Sequence, residues 1–156
     1  MRRTRRYRVP FAVLFAVYLA VLVYLMFFLD IRTSAMAAGG AAQYNLVPFR
    51  EISRFITYHE IIGGWISWAN LIGNILIFVP MGFFVSALCY SLRGVGKITL
   101  FAFCTSLCIE LIQFFTKLGC FDIDDIILNT IGGLIGGVIC LLGVWARRHR
   151  IRRIGR

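Results

Sequence analysis

Carboxylates and amides interrupt an otherwise apolar chain at only a few positions. Glu110 and Gln113 lie three residues apart, and Asp125 and Asn129 lie four apart, so each pair shares one face of a helix. A polar group without a partner costs free energy in hydrocarbon, and an ionisable one costs about 2.5–3.5 kcal/mol at the centre of a membrane helix. Residues retained at that cost are the first candidates for binding or proton chemistry.

Each candidate has a functional and a structural interpretation. Glu110 is either a buried carboxylate that binds a head group, a proton or a cation, or a partner for polar groups on neighbouring helices. Asn70 and Asn74 either line a site, or cap a helix and hydrogen-bond across the bundle. Asp122 and Asp124 precede an apolar run, where carboxylates are stabilised by the helix dipole and one of them can cap the helix.

The sequence offers no familiar metal or catalytic motif. Asp122-Ile-Asp124-Asp125 lacks the glycine and the spacing of an EF-hand loop, and the five cysteines form no CxxC pair. No Ser/His/Asp order, phosphate-binding glycine loop or HExxH helix is present. We therefore predict no metal, no cofactor and no catalytic residue.

Composition indicates which elements must hold these side chains. The chain has 156 residues, of which 60% are hydrophobic and 15% charged, against roughly 45–50% and 25% in soluble domains. About 20 apolar residues make one membrane-spanning helix. The uncharged runs predict an all-α polytopic membrane protein, a single domain over residues 1–156, with four transmembrane helices at about 9–29, 70–90, 97–116 and 125–146.

The first run has an alternative interpretation. Arg2–Arg8 is a basic segment, and Ala35-Met36-Ala37 resembles a signal-peptidase site. The apolar run Val9–Leu29 is, however, longer than the roughly 7–15 residues of a signal peptide core. We therefore predict a retained helix.

Basic residues predict the orientation of the helices. With the N-terminus inside, Arg2–Arg8, Arg93, Lys97 and the tail 147–156 hold 13 Lys and Arg on the inner side, and four lie outside. The positive-inside rule then places both termini in the cytoplasm and loop 30–69 outside. Attraction to anionic membrane lipid explains the net charge of +10 without nucleic acid.

Loop 30–69 carries one further predicted element. Ile52, Phe55 and Ile56 recur at helical spacing, opposite charged residues, which predicts a short interfacial amphipathic helix. Trp65 and Trp68 would then lie at the membrane surface, where indole rings concentrate.

This topology gathers the polar residues at one face of the membrane. We predict an outward-facing polar cleft, in which Arg50 is the counter-ion of a carboxylate or of a ligand phosphate. The predicted ligand-binding residues are Asn45, Arg50, Asn70, Asn74, Glu110, Gln113, Asp122, Asp124, Asp125 and Asn129.

Four stretches, in order, resemble the VanZ family. They are Asn45-Leu-Val-Pro-Phe, Asn70-Leu-Ile-Gly-Asn-Ile-Leu-Ile-Phe-Val-Pro-Met-Gly, Ser106-Leu-Cys-Ile-Glu-Leu-Ile-Gln and Phe121-Asp-Ile-Asp-Asp-Ile-Ile-Leu-Asn-Thr-Ile-Gly-Gly. The resemblance implies a bacterial inner-membrane protein of about four helices, in a family named for an accessory that lowers susceptibility to the glycopeptide teicoplanin. The family usually has a basic residue just before the last stretch, where this chain has Gly119-Cys120, with Lys117 as a possible substitute.

Three functions fit these observations. The first is a non-enzymatic protein that binds an amphipathic envelope molecule, either a lipid-linked wall precursor or a lipoglycopeptide. The second is an intramembrane enzyme acting on a lipid head group, with Glu110 and Asp125 as an acid/base pair. The third is a small transporter or channel subunit, assembled as a homo-oligomer through the glycines at 132–137. The expected partners are membrane lipids and such a ligand.

Overall fold

Four long helices form the protein in the computed structural model, which describes residues 5–29, 44–50, 52, 53, 57 and 64–154. Helix α1 is Arg5–Tyr24, α2 is Gly64–Leu88, α3 is Val95–Thr116 and α4 is Ile123–Ile154. A π-helical turn, Leu25–Leu29, continues α1, and a 3₁₀ turn, Tyr90–Leu92, joins α2 to α3. Two short strands, β1 (Tyr44–Asn45) and β2 (Phe121–Asp122), precede α2 and α4.

The helices have the length and surface of membrane spans. The apolar spans are Arg8–Phe27, Leu71–Leu88, Val95–Thr116 and Ile123–Arg150. Large apolar side chains point away from the bundle, among them Leu14, Leu76 and Phe115, which is 76% exposed. Such a surface is stable in hydrocarbon and not in water. The prediction of an all-α protein with four transmembrane helices is confirmed.

Glycines allow α4 to pack closely against α2 and α3. A Cβ on Gly132 would lie 2.1 Å from the Ile75 carbonyl oxygen of α2, and one on Gly136 would lie 1.8 Å from that of Val79. The other two glycines of the run, Gly133 and Gly137, face Ala102 and Ile98 of α3. Both glycine rows therefore pack against helices of the same chain, and assembly of a homo-oligomer stays a prediction.

Helix α1 packs at the edge of this core. Phe15 lies 5.6 Å from Phe84 of α2 between ring centres. The Tyr18 hydroxyl donates to the Ile77 carbonyl at 2.6 Å, one turn before Pro80. Pro80 has no N–H to donate to its own helix, so the carbonyl that loses its helical partner is that of Leu76, next to the carbonyl to which Tyr18 donates.

The helix ends differ from their predicted positions. Helix α2 begins at Gly64, six residues before the predicted start, so Trp65 and Trp68 belong to the helix. Asn70 lies inside the helix, and the interpretation that it caps the helix is wrong. Helix α4 continues to Ile154, through the segment predicted as a basic tail. Arginine is a strong helix former, so the charges end the apolar run without ending the helix. In the predicted interfacial helix, Arg50, Ile52, Ser53 and Thr57 are helical, and the other residues lie outside the described part.

Candidate functional site

The two strands join distant parts of the chain at one end of the bundle. Strands β1 and β2 are parallel, with Tyr44 opposite Phe121 and Asn45 opposite Asp122. The Asn45 Nδ2 also donates to the Asp122 carboxylate, at 3.2 Å from Oδ1. The segment before α2 is thereby fixed to the start of α4.

Asp122 organises the beginning of α4. Its Oδ1 accepts the Asp124 backbone N–H at 2.8 Å, which is the hydrogen bond of a helix N-cap. Its own backbone N–H donates to Oε2 of the buried Glu110 at 2.9 Å. Glu110 of α3 thus supports the turn that leads into α4 through a backbone N–H of β2.

The turn Leu46–Arg50, which we call the rim turn, is held by the same side chains. The Asn45 Oδ1 accepts the Val47 N–H at 3.4 Å, and the Asp124 Oδ1 accepts the Phe49 N–H at 2.5 Å. Phe49 has a left-handed backbone, with φ at 63°, which a residue other than glycine adopts rarely. The Asp124 carboxylate stabilises that conformation by satisfying the Phe49 N–H.

Two further contacts tie other helices to this region. The Asn74 side chain of α2 donates to Oδ1 of Asp125, so the predicted hydrogen bond of Asn74 across the bundle is confirmed. Gln113, 2% exposed, donates from Nε2 to the Met26 carbonyl at 2.8 Å. Met26 lies in the π-helical turn, and such turns disturb the regular helical hydrogen bonds.

Asn129 lies one layer deeper in the bundle. Its Nδ2 donates to Oγ of Ser106 at 2.9 Å, and both side chains are 0% exposed. Among the described residues its Oδ1 has no hydrogen-bond partner. Asn129 therefore joins α4 to α3 and is separate from the exposed rim turn.

Burial is the largest influence on the pKa of Asp122. It raises the pKa of this carboxyl above its ordinary value, although the Asp124 N–H, the Asn45 amide and the positive charge of Arg50 favour the charged form. Arg50 is exposed and acts on Asp122 from the rim turn. This influence is the smallest of those acting on the Asp122 pKa, so the role of Arg50 as a counter-ion stays a prediction.

The structure brings most of the predicted residues together. We call the following residues the polar cluster: Asn45, Asn74, Glu110, Gln113, Asp122, Asp124 and Asp125. Arg50 lies at its edge and Asn129 lies deeper, whereas the side chain of Asn70 is outside the described part. Within the described residues, no three His, Cys, Asp or Glu side chains are grouped to hold a metal ion.

Sequence reasoning missed several partners of the polar cluster. Ser106 was not proposed as a partner for Asn129, and the Met26 carbonyl was not proposed for Gln113. A serine and an asparagine on neighbouring membrane helices can be predicted from the sequence as hydrogen-bond partners. A backbone carbonyl leaves no such signal in the sequence.

The chain is similar to known proteins along most of its length. The model of the family described as VanZ/LLP1 matches residues 15–145. The chain belongs to this family. It is 31% identical to Protein VanZ of Enterococcus faecium over 126 residues, which are 79% of this chain and 68% of that protein. No solved structure matches the chain. The VanZ/LLP1 match includes both strands, the rim turn and the whole polar cluster.

Proposed function

We propose that this VanZ/LLP1 protein binds an amphipathic molecule of the bacterial cell envelope and lowers susceptibility to teicoplanin without catalysing a reaction. The ligand is a lipid-linked wall precursor or a lipoglycopeptide. The observation that carries the proposal is the rim turn, where apolar side chains and one guanidinium are exposed side by side.

The rim turn has the chemistry that an amphipathic ligand requires. Leu46 is 55% exposed, and Val47 and Phe49 are each 58% exposed, so they offer apolar contact to an acyl chain. Arg50 beside them offers N–H donors in a planar fork to a phosphate or carboxylate. The buried polar cluster supports this role because it fixes the turn through Asn45 and Asp124.

The proposed location is the bacterial cytoplasmic membrane, with both termini in the cytoplasm and the rim turn outside. The distribution of Lys and Arg supports this orientation, with 13 predicted inside and four outside. The ligand would then approach from the outer leaflet, where wall precursors and glycopeptides meet.

A susceptibility assay tests the proposal. The chain, its Arg50→Gln variant and its Arg150→Gln variant are expressed at equal level in a glycopeptide-sensitive Gram-positive host. Both arginines are exposed, but Arg150 lies at the opposite end of α4 from the rim turn. We expect the parent and Arg150→Gln to raise the inhibitory concentration of teicoplanin several-fold, with no change for vancomycin, and Arg50→Gln to abolish that rise.

Two outcomes would contradict the proposal. An unchanged teicoplanin response with the parent chain would remove the resistance role, and full activity of Arg50→Gln would remove the rim turn as the binding surface. Mass spectrometry of membrane lipids and wall precursors, with and without the protein, tests the non-enzymatic part. A new modified lipid would indicate an enzyme instead.

A further inference from the structure

The end of the bundle opposite the polar cluster contains a groove between α1, α2 and α4. We call it the basic groove. It has a volume of about 780 Å³, and its lining includes Phe11, Phe83, Leu88, Ile139, Gly143 and Val144. A volume of this size falls within the roughly 300–1,000 Å³ of small-molecule sites. Its apolar walls belong to the membrane spans, so the groove is open to hydrocarbon and suits an acyl chain.

Three arginines, Arg8, Arg93 and Arg147, line the same groove. Arg8 begins the first span, Leu88 ends the second, and Arg147 lies three residues before the end of the last. The guanidiniums therefore lie where hydrocarbon gives way to lipid head groups. Long basic side chains near helix ends extend toward that level.

No carboxylate of the nearby sequence neutralises these charges. Residues 1–29, 61–109 and 126–156 contain no Asp or Glu. The described carboxylates, Glu110, Asp122, Asp124 and Asp125, lie at the polar cluster, at the other end of α3 and α4. Three cations around one apolar groove, with no Asp or Glu among the described residues that line it, are complementary to an anionic amphiphile.

Two of the arginines are held in place by the end of α2. Arg93 donates from Nε to the Ser86 carbonyl at 2.8 Å and from Nη2 to the Ala87 carbonyl at 3.0 Å, and its guanidinium lies 5.1 Å from the centre of the Tyr90 ring. Arg8 donates from Nη2 to the Leu88 carbonyl at 3.2 Å. Both satisfy carbonyls that a helix end leaves open, and each guanidinium retains further N–H groups for a ligand.

From this geometry we infer that the basic groove is a binding site for one anionic phospholipid. Its phosphate is bound by Arg8, Arg93 and Arg147, and one acyl chain lies along Phe11, Phe83 and Ile139. In the orientation proposed above, the site faces the cytoplasmic leaflet. The inference does not depend on what the rim turn binds.

Lipid retention by the purified full-length chain tests the inference. Native mass spectrometry in detergent compares added dioleoyl-phosphatidylglycerol with dioleoyl-phosphatidylcholine. We expect one phosphatidylglycerol to be retained preferentially. Arg147→Gln should weaken its binding about fivefold, since it removes one of the three guanidiniums that bind the phosphate. Arg150→Gln removes the same charge outside the groove lining and should change binding less than twofold.

A second pair of variants tests the apolar half of the site. Among the described residues, no atom outside the glycine's own stretch of helix lies within 4 Å of a Cβ built on Gly143 or on Gly73, so a side chain can be introduced at either position. Gly143 lines the basic groove, whereas Gly73 does not. Gly143→Leu should reduce phosphatidylglycerol retention, and Gly73→Leu should leave it unchanged, with equal thermal stability of both variants.

Three results would overturn the inference. The first is equal retention of the two phospholipids. The second is equal loss with Arg147→Gln and Arg150→Gln, which would indicate a diffuse attraction between charged surfaces. The third is displacement of phosphatidylglycerol by millimolar inorganic phosphate with no effect of Gly143→Leu, which would indicate a site for the free anion. Each result leaves the susceptibility assay at the rim turn unaffected.

Discussion

At the residue scale, Asn129 shows how little polar contact a membrane bundle needs to fix one side chain. The Asn129 Nδ2 donates to the Ser106 hydroxyl, and the Asn129 Oδ1 has no hydrogen-bond partner among the described residues. Such an amide is sensitive to its single partner, because a buried polar group without a hydrogen bond costs about 1–3 kcal/mol.

Substitution of Ser106 should therefore reduce stability. We expect Ser106→Ala to lower the free energy of unfolding by about 1–3 kcal/mol, since it leaves both polar groups of Asn129 without a partner. Thr105→Ala is the matched control, because within the described part of the chain the Thr105 hydroxyl donates to its own helix, at the Phe101 carbonyl. The measurement is unfolding in mixed micelles by added denaturing detergent. Equal effects of the two variants would contradict the role given to Ser106.

Single residues differed in how far the sequence predicted them. The cap formed by Asp122 was predictable, because an Asp directly before an apolar run is a common helix start. The bond from the Asp122 N–H to Glu110 was not, because it depends on how the chain turns between α3 and α4. The sequence predicted that Glu110 lies near the other carboxylates and amides at one end of the bundle. Its hydrogen-bond partner could be identified only in the structure.

At the element scale, the two glycine rows of α4 set its distance from both neighbouring helices. Their spacing in the sequence predicted close packing, but either another helix of the chain or a second copy could have filled them. The structure places α2 against one row and α3 against the other. The helix ends were less predictable, because hydropathy indicates where the apolar span ends and not where the helix ends. In α4 the helix continues beyond the apolar span to Ile154.

An added methyl group tests this packing. Gly136→Ala should destabilise the protein by about 1–3 kcal/mol, since the Cβ would lie 1.8 Å from the Val79 carbonyl oxygen and α2 must move away. Gly143→Ala has open space around its Cβ and should be neutral or stabilising by up to about 1 kcal/mol, because alanine favours helix. Thermal unfolding of both variants in the same detergent gives the comparison. A stable Gly136→Ala would show that the helices pack less tightly than described.

At the scale of the whole molecule, charge is divided between the two ends of the bundle. The described carboxylates belong to the polar cluster, and the arginines of the basic groove lie at the other end. The sequence predicted this division, because 11 of the 17 Lys and Arg lie in the two terminal segments, 2–8 and 147–156, which four helices place on the same side. It did not predict the parallel strands, since two residues each are too few for a periodic pattern.

Labelling of single cysteines tests the proposed orientation. Cys89 is exposed near the basic groove, and Lys117 is exposed near the polar cluster. In a background without other cysteines, a membrane-impermeant maleimide should label Lys117→Cys in intact cells and Cys89 only after permeabilisation. The reverse pattern would invert the orientation and place the rim turn in the cytoplasm.

The strand pairing also sets an order for biogenesis. Tyr44 pairs with Phe121, so β1 leaves the ribosome long before its partner has been synthesised. Until then, the Asn45 amide lacks the Asp122 carboxylate, and Glu110 enters the bilayer without the backbone N–H of Asp122. The first three helices must therefore be inserted as an incomplete bundle, and translation of the start of α4 completes the polar cluster and the rim turn together.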